Sequence, residues 1–97
     1  MKWTLPKSVT PGQPVKLTLT HKISKRLGEQ LLHVTLKDGS GKRIERKVLK
    51  ASGAGEIEVD FDVPKDLQGN QVSFAAFVGA EYSKNLQHLT SKLINLK

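Results

Sequence analysis

Four stretches of this chain alternate apolar and polar residues with a period of two. Val15, Leu17, Leu19 and Ile23 share one parity, while Lys16, Thr18, Thr20 and Lys22 take the other. Leu32, Val34 and Leu36 repeat the pattern, with His33, Thr35 and Lys37 between them. Ile57, Val59, Phe61 and Val63 alternate with Glu56, Glu58, Asp60 and Asp62. Val72, Phe74, Ala76 and Val78 form the last set, with Phe77 and small residues on the other parity, so both of its faces are expected to be covered. Successive side chains of a strand point to opposite faces, so this patterning builds sheets with one dry face and one wet face.

The remaining segments are less regular. In residues 43–50, Ile44 and Val48 share a face and Leu49 breaks it. Residues 2–5 read as a short first strand and residues 89–96 as a final one. Leu86, Leu89 and Leu93 have helix-like spacing, but no segment sustains a helical period over three turns, and loop followed by strand is expected there. Turn chemistry separates the strands. Pro11-Gly12 suits the centre of a type II turn, and Asp38-Gly39-Ser40-Gly41 and Ser52-Gly53-Ala54-Gly55 suit hairpin connections. Pro64 withholds a ladder donor and ends a strand. About seven short strands in 97 residues predict an all-β fold, an antiparallel β-sandwich forming a single domain over 1–97.

The order of these pieces carries a resemblance. Val9-Thr10-Pro11-Gly12-Gln13-Pro14-Val15 leads into the first long strand, Lys37-Asp38-Gly39-Ser40-Gly41 follows the next, and Ser52-Gly53-Ala54-Gly55-Glu56 opens the strand that closes on Val63-Pro64. From Val9 to Val78 this resembles the immunoglobulin-like and fibronectin-III-like ancillary modules of bacterial multidomain proteins, polysaccharide-active enzymes in particular. The chain lacks the Cys pair and third-strand Trp of antibody domains. The resemblance implies a non-catalytic spacer or sugar-binding module, excised from a longer secreted, periplasmic or cell-surface protein, with neighbouring domains as partners. The amino terminus shows no apolar signal region, and no run approaches a membrane span.

A search for chemistry returns bland readings. Gly39-Ser40-Gly41 is too short for a nucleophile elbow, and Gly53-Ala54-Gly55 lacks the third glycine and following helix of a nucleotide loop. His21, His33 and His88 have no ligand spacing. Asp60, Asp62 and Asp66 do not form a calcium loop. No catalytic residue, metal or cofactor is therefore assigned, and the chain is not expected to be an enzyme. Stacking on sugar rings would fall to Trp3 and Tyr82, since Phe61, Phe74 and Phe77 lie on packed parities.

Charge is the sharper signal. Sixteen Lys and Arg against nine Asp and Glu give a formal +7. Lys42, Arg43, Arg46, Lys47 and Lys50 concentrate on one strand and are the candidates for binding a polyanion. Lys22, Lys25 and Arg26 form a second cluster. The acids gather on the following strand, at 56–66. If the two strands pair as a hairpin, Lys50 faces Glu56 and Arg46 faces Asp60, and the charges only fix register. If an immunoglobulin-type layout sends them to different sheets, the basic strand is an open stripe, suited to an acidic or sulfated polysaccharide. Nucleic acid is the weaker partner, because no recognition helix or aromatic RNA-binding strand accompanies the charge.

Overall fold

A computed structural model describes residues 1–67, 69–79 and 87–97. The alternating stretches become long strands: β3 (Pro14–Lys22), β4 (Gln30–Asp38), β6 (Ala54–Asp62) and β7 (Gln71–Val78). The irregular basic segment is β5 (Arg43–Ala51). Shorter pieces are β1 (Lys2–Thr4), β2 (Ser8–Val9), β8 (Gln87–Thr90) and β9 (Ile94–Leu96). A single 3-10 turn at Lys25–Leu27, which the sequence pattern does not reveal, precedes β4.

Two sheets form. The smaller has the order β1-β3-β6, and the larger the order β2-β9-β7-β4-β5, with β8 also on β7. Among the described residues, pairing is antiparallel except for the short β2–β9 contact. The predicted apolar parities face each other across the sandwich. Leu17, Leu19 and Phe61 from one sheet meet Leu32, Val34, Leu36, Val72 and Phe74 from the other, all 1% exposed or less. Packing two such faces removes their apolar area from water and is the main force holding the layers together.

The turns follow their residues. Gly12 has φ 80°, and Gln13 N–H donates to the Thr10 carbonyl, the geometry of a type II turn that needs a residue without Cβ. At the β4–β5 connection, the Asp38 carboxylate accepts from the Ser40 N–H at 2.9 Å, the Ser40 hydroxyl at 2.6 Å and the Lys42 N–H at 3.0 Å. The Ser40 hydroxyl, then the Lys42 amide, hold this carboxyl below its usual value of 3.8.

Two expectations change. The segment 89–96 is two strands, because the Ser91 hydroxyl takes the Phe74 N–H at 2.8 Å and the ladder on β7 is interrupted there. In β5 the faces are shared differently. A register shift opposite Leu36 and Lys37 lets Ile44 pack on the core, while Leu49 faces inward and Val48 is 50% exposed. A bulge adds one residue to a strand and so changes which parity faces in.

Candidate functional site

The basic strand and the acidic strand do not pair. β5 is hydrogen-bonded to β4 at the edge of the larger sheet, whereas β6 lies on β3 at the edge of the smaller one. Only Ser52 and Gly53 separate them, and the chain crosses from one layer to the other at this corner. Gly53 has φ 58°, and its carbonyl accepts from Ile23 N–H at 2.8 Å and from His21 Nδ1 at 3.0 Å. Arg46 therefore lies opposite Thr35 and Lys50 opposite Leu31, while Glu58 and Asp60 lie opposite Thr18 and Lys16.

The outer face of the larger sheet can be read from its register as rows crossing the strands. One row is Arg46, Thr35, Ala75 and Thr90; the next is Val48, His33, Phe77 and His88; a third places Arg43 opposite Lys37 and Lys37 opposite Ser73. Small side chains in the first row leave a depression between larger neighbours. The result is a groove of about 260 Å³ with Thr35 and Ala75 in its floor, Lys37, Arg43 and Arg46 at one side, and Phe77 and His88 at the other. Lys37 and Arg43 are like charges on directly paired residues, an arrangement that repels unless an anion comes between them.

The aromatic wall is fixed rather than open. The Phe77 ring stacks on His33 with centroids 4.2 Å apart and planes 6° apart, and the Arg46 guanidinium carbon lies 5.7 Å from its centre. Phe77 is 6% exposed, so it supports Arg46 more than it offers a stacking surface. His33, on the outward parity but buried, lies with Nε2 3.0 Å from the Gly79 carbonyl. A carbonyl only accepts, so the proton sits on Nε2, leaving Nδ1 buried with no partner among the described residues.

The five basic candidates separate. Arg43 and Arg46 line the groove. Lys50 is on the same outer face and forms an exposed 3.9 Å pair with Glu29. Lys47 turns toward the other layer, where its amine donates to the Asp60 carbonyl and stands 5.3 Å from the Phe61 ring centre. Lys42 is exposed in the turn, with its backbone N–H on Asp38. Trp3 lies opposite Leu19 in β1, half-buried with its ring 6.4 Å from Phe74, away from the groove. Tyr82 lies outside the described residues. From the second cluster, Lys22 and Lys25 border another depression, of about 480 Å³, beside Gly53 and Ala54.

Lys37 and His88 join the site without having been singled out as binding residues. Each sits on the outward parity of its strand, but only the β4–β7–β8 register brings them to Arg46. Chemically the site offers guanidinium and ammonium donors beside small polar groups, which suits carboxylate or sulfate held by charge and hydrogen bonds. Among the described residues no three His, Asp or Glu converge to hold a metal ion. Comparison with protein-family models gives no match, and comparison with curated proteins gives none either.

Proposed function

We propose that this chain is a non-catalytic interaction module of a larger protein, and that it binds an acidic polysaccharide on the outer face of its larger sheet. The observation that carries the reading is the placement of β5 and β6 in different sheets. The acids of β6 cannot then neutralise Arg43 and Arg46 across a ladder, and Lys37 adds to their charge. The strand order supports the module reading. With β1, β3 and β6 taken as strands A, B and E, the facing sheet runs G-F-C-C′ as β9-β7-β4-β5, the division used by immunoglobulin-type sandwiches. A secreted or cell-surface polysaccharide-active parent follows from the same resemblance.

The test is retention of the protein on immobilised acidic, sulfated and neutral polysaccharides. Binding to the acidic or sulfated polymers alone is expected, weakening as salt rises because exposed charges are screened over about 8–10 Å. Arg43→Ala and Arg46→Ala should each reduce retention. Equal retention of wild type and both variants, or none at low salt, would leave the module as a spacer.

A further inference from the structure

We infer that the polysaccharide carries one anionic group per disaccharide and lies along β5, an inference that rests on the binding reading above. The outer face of this edge strand is not uniformly basic. Arg46 and Lys50 are cationic, and between them stands Val48, 50% exposed. Leu31, opposite Lys50 on β4 and 38% exposed, is the diagonal neighbour of Val48. Arg46 and Lys50 are four residues apart on one face, which at about 3.3 Å per residue sets their α-carbons about 13 Å apart, a span their long side chains can shorten.

The alternation of charge, apolar surface and charge fits a disaccharide repeat. An anion on one sugar meets Arg46, the C–H face of the neutral sugar packs on Val48 and Leu31, and the next anion meets Lys50. The Lys50–Glu29 pair is exposed, at 72% and 62% of side-chain area, so exchanging Glu29 for a ligand anion costs little. A polymer with an anion on every sugar instead presses a carboxylate onto Val48 and Leu31. That group is partly desolvated there without a cationic partner, which disfavours it.

The experiment measures binding of hyaluronan fragments, with one carboxylate per disaccharide, and of polygalacturonate fragments of equal total charge, with one on every sugar. Wild type should prefer hyaluronan, and Arg46→Ala and Lys50→Ala should each weaken it about five-fold. Val48→Lys, on an exposed position where folding is not at stake, should reverse the preference toward polygalacturonate. Val48→Thr, which keeps the strand propensity, should lower hyaluronan affinity without helping polygalacturonate. Equal or tighter polygalacturonate binding by wild type, or a Val48→Lys effect identical for both, overturns the repeat assignment and leaves the binding reading standing. Absence of binding to either polymer at low salt overturns both.

Discussion

The ammonium group of Lys47 sits 5.3 Å from the centre of the Phe61 ring and donates to the neighbouring Asp60 carbonyl, so one side chain ties the edge of one sheet to the edge of the other. A charged residue directed inward from an edge strand also discourages a second molecule from extending the sheet.

Lys47→Ala removes the cation–ring contact, the hydrogen bond and the packing of the stem. A loss of about 1–2 kcal/mol is expected in urea unfolding. Lys47→Met keeps most of the packing and lowers stability less, but removes the inward-directed positive charge from the edge. Size-exclusion chromatography should then show concentration-dependent association for Lys47→Met that wild type lacks.

The paired like charges of Lys37 and Arg43 cost the fold stability that an anion would restore. Lys37→Thr should raise the unfolding free energy by about 0.2–1 kcal/mol at low salt. It should also diminish the increase in melting temperature expected of wild type with added sulfate. Thermal melts of both proteins over a sulfate series test this, and an unchanged wild-type melt would contradict it.

Gly53 makes the corner between the layers at φ 58°, and apart from its chain neighbours no described residue comes within 4 Å of the place a Cβ would occupy. The cost of substitution is therefore conformational rather than steric. Gly53→Ala should destabilise by about 1 kcal/mol, and Gly53→Asn by less, because Asn tolerates left-handed backbone better. Denaturant midpoints of the pair give the ranking.

The Asp38 carboxyl is held below 3.8, first by the Ser40 hydroxyl and then by the Lys42 amide. Its pKa is thus lower folded than unfolded. The stability it contributes is fully present above the unfolded carboxylate range and is lost as pH falls through the folded value. Asp38→Asn should be less stable than wild type at pH 7, and the gap should narrow as pH falls below the ordinary carboxylate range. Urea midpoints from pH 7 to pH 2 test the sign.

The residues that made the fold legible are those whose polarity alternates along the strand. Lys16 and Leu17, or Val59 and Asp60, declare an exposed and a buried face, and β3, β4, β6 and β7 fall where alternation puts them, although Thr35 on the outer face of β4 is itself buried. Alternation fails in β5 for a physical reason. It is an edge strand with a bulge, and its inward parity carries Lys47 and Glu45, half-buried at the rim of the sandwich. The division of 89–96 turns on a single hydroxyl, Ser91, which no period reveals. Arg43 and Arg46 were visible as charge, but their groove was not. It depends on a register linking β4, β5, β7 and β8, and on small residues such as Ala75 that carry no chemical signal alone.

The corner at Ser52 and Gly53 also sorts charge in space. Within a few residues it hands the chain from a basic edge in one layer to an edge bearing Glu56, Glu58, Asp60 and Asp62 in the other. The cations of β5 and the acids of β6, the latter partly offset by Lys16 on β3, thus lie in different layers. Near a polyanionic surface this separation favours approach with the Arg43–Arg46 side foremost and the β6 side away. In the polysaccharide binding proposed above, rising salt should therefore slow encounter as well as weaken the complex.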